Sequence, residues 1–268
     1  MRTVIVTGDA LTIDDVVDVA LGAARAELGP DVGERMRFSR EVVTAALEGD
    51  AAVYGVNTGF GALADTAVGV QDLTRLQRAI IVSHAAGVGE PLDDAAVRAI
   101  LLLRARTLAA GYSGVRIDLP ARLLELLERG LLPVIPGKGS VGASGDLAQL
   151  AHLAQPLIGE GRLRVPGDGP RGRPAREVLH EHGITPLVLA PKEGLSLVNG
   201  PSRCRPCSLS RSGKRNCSPG RPTSPARCRS RHCWAPTGPT TSGCRSSARI
   251  PASWIALRTC ARCWPALR

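Results

Sequence analysis

Apolar residues along the first two hundred positions recur mostly at helical spacing. Thr3 to Val6 reads as a short strand. Thr12 is placed to cap a helix running to about Leu28, with Asp14 and Asp15 in its first turn. A second helix covers Glu34 to Leu47. Asp72 starts a third, Leu73 to Ala86, which Gly87 and Gly89 stop. Asp93 starts a fourth that reaches Ala110. Its Val97, Ile100, Leu101, Leu102, Leu103 and Leu108 point to more than one side, so it should lie deep in a core. Pro120 to Arg129 is a fifth helix, ended by Gly130. A sixth begins at Ser144 or Gly145 and runs to about Ile158. The Arg/Gly/Pro-rich stretch 159–174 reads as a hairpin excursion. The fold class is therefore mainly α, with short strands.

Composition divides the chain sharply. All 24 acidic residues and 20 of the 34 basic ones fall in residues 1–200, a net −4, whereas residues 201–268 carry no acid and a net +14. All eight Cys and all three Trp also lie beyond position 200. The switch occurs at Gly200-Pro201. Two units follow: a globular segment, 1–200, and a basic Arg/Pro/Ser/Cys-rich tail, 201–268, expected to be disordered.

A nucleic-acid-binding arm would account for the tail's charge, and its Trp could stack on bases. A zinc site from Cys204-x-x-Cys207 and Cys260-x-x-Cys263 would leave 52 residues between the pairs, far from ordinary four-Cys spacing. A disulfide scaffold needs an oxidising compartment that nothing upstream supports. Translation of a GC-rich gene out of frame yields the same mixture and explains a change at one residue rather than across a linker. This last reading is preferred, and on it neither nucleic acid nor a metal is an expected partner. The sequence has no internal repeat, signal peptide or transmembrane run, so a soluble, cytoplasmic protein is the default.

The richest chemistry lies in Gly139-Ser140-Val141-Gly142-Ala143-Ser144-Gly145-Asp146. Three small residues, Ala143, Ser144 and Gly145, follow a Pro/Gly loop and precede a helix. Gly145 has no Cβ to shield its nitrogen, Ala143 permits close approach, and Ser144 carries a hydroxyl that can leave. Attack of the Gly145 nitrogen on the Ala143 carbonyl, with loss of two waters, would build an electrophile that no standard side chain supplies. A helix start there would aim N–H groups and a positive dipole end at the ring. On its own the tripeptide is common and also reads as a turn before a helix.

Three more stretches accompany it: Tyr54-Gly55-Val56-Asn57-Thr58-Gly59-Phe60-Gly61, Ile81-Val82-Ser83-His84-Ala85-Ala86-Gly87-Val88-Gly89, and Lys192-Glu193-Gly194-Leu195-Ser196-Leu197-Val198-Asn199-Gly200. With Leu132-Pro133-Val134-Ile135-Pro136 leading into the Ala-Ser-Gly segment, their order and spacing strongly resemble the aromatic amino acid ammonia-lyases over residues 4–200. The Ser83-His84 pair is the form found in the histidine ammonia-lyases.

That resemblance implies the N-terminal portion of a helical ammonia-lyase fold, lacking the long central helical bundle. It implies a methylidene-imidazolone (MIO) group made from Ala143, Ser144 and Gly145, with no external cofactor. Gly142 and Asp146 would support cyclisation. Tyr54 resembles the family's candidate base. A free phenol ionises near pH ~10, so it must be tuned downward. His84 resembles the residue that contacts a substrate imidazole, and Asn199 the amide that hydrogen-bonds to the bound amino acid. Read from the residues alone, Tyr54 also fits a loop tyrosine packing its ring, His84 a satisfied core histidine and Asn199 a turn residue.

The implied reaction is elimination of ammonia from L-histidine to give urocanate, in a homotetramer. The alternatives are a tyrosine or phenylalanine lyase or an aminomutase using the same group, and a non-enzymatic, basic-tailed binding protein. The family usually has Pro where this chain has Gln149, and commonly a charged residue where it has Gly137. Nothing in 201–268 matches the family's bundle helices, which supply a second tyrosine, an arginine and a glutamate to the site. The chain is accordingly expected to be truncated by a frameshift and inactive as it stands.

Overall fold

A computed structural model describes residues 1–49, 51–61, 66, 68–140 and 145–200. The tail, and with it the expectation that it is disordered, lies outside the described residues, as do Val141, Gly142, Ala143 and Ser144.

Strand β1 (Arg2–Val6) is followed by helix α1 (Ile13–Ala20) and strand β2 (Ala24–Leu28), which pairs with β1 in parallel, Val4 opposite Ala26. The expected Thr12 cap is present as a full capping box: Thr12 Oγ1 accepts from the Asp15 N–H, and Asp15 accepts from the Thr12 N–H. The helix does not continue to Leu28, however. Gly22 turns the chain at φ +74°, and Ala24, Ala26 and Leu28 face inward as a strand. Parallel pairing with β1 thus overrides the helical pattern of the sequence.

Helix α2 (Val32–Glu48) covers the predicted 34–47. Helix α3 (Val70–His84) starts ahead of Asp72 and ends two residues before Ala86. Helix α4 (Asp94–Ala109) is capped by Asp93, whose Oδ1 accepts from the Ala96 N–H at 2.7 Å. Between α3 and α4, β3 (Val88–Pro91) forms an antiparallel pair with β5 (Pro136–Lys138). Helix α5 (Asp118–Glu128) precedes β4 (Leu132–Pro133), which joins β6 (Arg162–Arg164) and β7 (Arg173–Pro174) in a three-stranded antiparallel sheet. The β6–β7 pair is the hairpin expected over 159–174. Helix α6 (Leu147–Ala154) starts later than expected and passes into a 3₁₀ turn at Gln155–Ile158; α7 (Ala175–Glu181) and α8 (Glu193–Val198) complete the order.

The core is built around α4, as its apolar residues predict. Val97, Leu101, Leu102, Ala105 and Leu108 have no exposed surface, and α4 packs on α1 and α5. Arg98 on its flank donates to Val19 O at 3.0 Å and Leu127 O at 3.2 Å, tying three helix ends together. The other side of α4 meets α8, which in turn packs on α3 and α6. Among the described residues no helix is long and apolar enough to cross a membrane.

Candidate active site

The site lies where α3, α6, α8 and the loop 51–61 converge. Each element is fixed there by a different kind of contact. Helix α8 has only six residues and cannot hold itself together. Its start is held by Gln77 of α3, whose buried Oε1 accepts from the Gly194 N–H at 2.9 Å. Gly194 lies so close to α3 that a Cβ would sit 2.4 Å from Gln77 O. Glu193 is completely buried. Its carboxylate takes Nε and Nη2 of Arg116 at 2.9 and 2.8 Å, together with the backbone N–H groups of Arg116 and Ala190 at 3.0 and 2.7 Å. The bond to Glu193 holds the Arg116 guanidinium firmly charged, its pKa raised above the ordinary value.

The far end of α8 carries Asn199 and Gly200. The Asn199 side chain is exposed, while its backbone N–H caps Leu195 O at 2.9 Å. Gly200 bridges Gly145 in parallel, and the Asp146 N–H reaches Gly200 O at 3.4 Å. Gly145 sits at φ +104°, and a Cβ on it would fall 2.6 Å from Gly200 O and 2.8 Å from Gly200 C. Only glycine fits this position, both in conformation and in space. This cradle suits a backbone that must fold back on itself at Gly145. Ala143 and Ser144 lie outside the described residues. Helix α6 begins at Leu147 with Asp146 at its N-cap, so its free N–H groups start beyond Gly145 rather than at Ser144.

Tyr54 lies in a tight loop. Asn57 Oδ1 accepts from the Val53 N–H at 2.7 Å, and Thr58 Oγ1 accepts from the Gly55 N–H at 3.3 Å. The loop presses on α8: a Cβ on Gly55 would meet Leu195 Cδ2 at 2.4 Å. The Tyr54 ring stands edge-on to Phe60, centroids 6.2 Å apart, and remains 53% exposed. It packs against one aromatic neighbour and keeps an open face.

His84 closes α3, half-buried, on the same face as buried Ile80. Its Nδ1 lies 2.8 Å from Ile80 O. A carbonyl oxygen only accepts, so Nδ1 carries the hydrogen and Nε2 of the neutral ring is the acceptor. Three residues on, the Gly87 N–H donates to Nε2 of His152 on α6 at 3.1 Å. Burial lowers the His152 pKa below its ordinary value, partly offset by a hydrogen bond with Gln155. Gly139 fits against Gly87 and Ala148, completing the link from α3 to the loop before α6.

Sequence reasoning singled out Tyr54, His84, Gly145 and Asn199, and the structure brings their four elements together. It missed Gln77, Arg104, Arg116 and His152, which hold those elements. Arg104 had a signal: it is a cation inside the run Leu101-Leu102-Leu103-Arg104-Ala105 of a helix read as buried. It is 2% exposed, and its Nη2 donates to the carbonyls of Ser196 and Asn199. Gln149 also proves fully buried, and neither of its amide atoms has a hydrogen-bond partner among the described residues. Among the described residues no cluster of His, Cys, Asp and Glu could hold a metal ion.

Residues 11–205 match the aromatic amino acid lyase family. Histidine ammonia-lyase of Anaeromyxobacter dehalogenans is 54% identical over 204 residues, which span 75% of this chain and 40% of the relative. The fold is similar to that of histidine ammonia-lyase from Trypanosoma cruzi (TM-score 0.68, 37% identity, 75% of this chain and 38% of that one). It is similar also to tyrosine aminomutase from Streptomyces globisporus (TM-score 0.71, 38% identity, 75% and 37%). The chain thus spans about 40% of the length of the curated relatives it matches.

Proposed function

The chain belongs to the aromatic amino acid lyase family, and on that premise we propose that residues 1–200 are the N-terminal part of a histidine ammonia-lyase, converting L-histidine to urocanate and ammonia. The observation that carries the reading is the approach of Gly145 to Gly200 at a positive φ, a cradle that leaves no room for a side chain.

Ring closure at this tripeptide balances as follows. The Gly145 nitrogen bonds to the Ala143 carbonyl carbon, and the carbonyl oxygen leaves as water with the amide hydrogens of Ser144 and Gly145. The Ser144 hydroxyl leaves as a second water with the Ser144 Hα, producing an exocyclic methylene. The MIO group so formed supplies an electrophile for the substrate amine. The chain's other residues bind the substrate and move its proton. Tyr54, on its open loop, takes the β-proton. His84 offers Nε2 to an N–H of the substrate imidazole, because Ile80 O holds the hydrogen on Nδ1. Asn199 presents its exposed carboxamide to the bound amino acid.

The histidine ammonia-lyase relatives and the Ser83-His84 pair support histidine as substrate. The aminomutase neighbours support a second reading, a mutase using the same group. Product analysis separates them, urocanate against a β-amino acid.

We infer further that the tail is read out of frame, that the complete protein is a cytoplasmic homotetramer, and that this chain does not turn over histidine. The family match ends at residue 205, five residues after the composition changes. Reading the coding DNA one base out of register after codon 200 should reveal bundle-helix sequence, and noise there would overturn the frameshift. In the frame-restored protein, intact mass should show loss of two waters, abolished by Ser144→Ala; an unmodified mass in folded tetramer refutes the ring. Tyr54→Phe should keep the mass loss and abolish elimination, and near-normal turnover would rule Tyr54 out as the base.

A further inference from the structure

We propose that Arg104 is a positioning residue for ring closure at Ala143-Ser144-Gly145: its buried guanidinium locks the end of α8 so that Gly200 is pressed against Gly145. The proposal rests on the ring assignment above and names the residue that prepares the backbone for it.

Arg104 lies on α4 among Leu101, Leu102, Ala105 and Leu108, all fully buried. No carboxylate pairs with it among the described residues, and burial alone perturbs it. Burial lowers its pKa to about 10, which still leaves it charged at neutral pH. Sequestering an unpaired charge is costly, and an apolar side chain of similar volume would serve stability better. Packing therefore does not account for a cation at this position.

What the cation does is specific. One nitrogen, Nη2, donates to Ser196 O and to Asn199 O, the latter at 2.8 Å. These carbonyls belong to the last turn of α8, where they have no partner within the helix and carry partial negative charge. Charge-assisted bonds hold such oxygens more firmly than neutral ones. Nη1 lies against Gly200 so closely that a Cβ there would be 2.6 Å from it. Gly145 approaches Gly200 as closely: a Cβ on Gly145 would fall 2.6 Å from Gly200 O. Gly200 is therefore in close contact with both the guanidinium and Gly145, with no room for a side chain at either approach. A nitrogen that must attack a carbonyl two residues away gains rate from being held at near-attack distance, and a misplacement of about 1 Å costs on the order of 100-fold.

The test uses the frame-restored protein with Arg104→Met, which removes the charge at similar volume, and Arg104→Lys, which keeps it without the planar fork. Intact mass reports the fraction of molecules that have lost two waters. Peptide-level hydrogen exchange reports protection at 145–150, at 193–200 and in α4–α5. The expected result for Arg104→Met is ring formation slowed on the order of 100-fold, with faster exchange confined to 145–150 and 193–200. Arg104→Lys should fall between Met and the parent. Parental mass loss in folded Arg104→Met would overturn the proposal. So would loss of α4–α5 protection in both variants, because Arg104 would then serve the fold and not the ring. An open backbone in the folded, frame-restored parent is seen before any variant is made, and sinks the ring assignment itself rather than the clamp.

Discussion

Replacing Gly145 with Ala introduces two separable penalties. The residue sits at φ +104°, where an L side chain costs about 1–2 kcal/mol. The new Cβ would also lie 2.6, 2.8 and 3.3 Å from O, C and N of Gly200. These are backbone atoms, so no rotamer change relieves them, and overpacking of this kind costs about 1–3 kcal/mol. The sum, about 2–5 kcal/mol, is a large share of the ~5–15 kcal/mol that holds a typical domain together. Gly22→Ala is the internal control: Gly22 has φ +74° but nothing within 4 Å of its Cβ direction, so it suffers the conformational penalty alone. Both substitutions should be made in a Ser144→Ala background, so that the backbone is open in every protein compared. Urea unfolding with a common slope then gives the difference directly. Gly145→Ala should be destabilised by about 1–3 kcal/mol more than Gly22→Ala. Equal destabilisation would mean that Gly145 does not touch Gly200, and the cradle argument would fail with it.

Glu193→Ala should destabilise by about 3 kcal/mol, near the lower end for a broken buried pair, because half-exposed Arg116 can rehydrate while two backbone N–H groups lose their acceptor; a loss below about 1 kcal/mol in urea unfolding would contradict this. The folded state holds His152 at a lowered pKa, so the unfolded chain takes up its proton first. Stability should be unaffected above pH ~6.5 and should fall as pH drops below it; His152→Gln should flatten that part of the profile, and an unchanged profile would refute the assignment. Gln149→Pro should raise stability by about 1–2 kcal/mol, since it removes a buried amide without partners among the described residues, at a first-turn position that tolerates proline. A lowered melting temperature would show that the amide is satisfied in solution.

The parts of the fold legible in the sequence are those fixed by local rules. The Thr12 capping box, the Asp93 cap and the apolar girth of α4 need only neighbours in sequence, and each is found as expected. Where the pattern fails, a distant partner decides. Ala24 to Leu28 becomes a strand because β1 is there to pair with, and α8 forms because Gln77, Arg116 and Arg104, all distant in sequence, hold it. The same division runs through the site. Tyr54, His84, Gly145 and Asn199 announce themselves by motif, whereas the residues that hold them in place act across long sequence separations and leave little trace. The exception is a lone arginine in an apolar run, an oddity that sequence alone can flag.

The contact between Gly145 and Gly200 also imposes an order of events. A chain emerging from the ribosome has synthesised the tripeptide long before α8 exists, so the two glycines cannot meet until the last turn has docked. The reactive alkene would therefore mature late, inside an already assembled shell. It would not be displayed to cellular thiols on a half-made polypeptide, and its appearance would mark the completion of this part of the molecule.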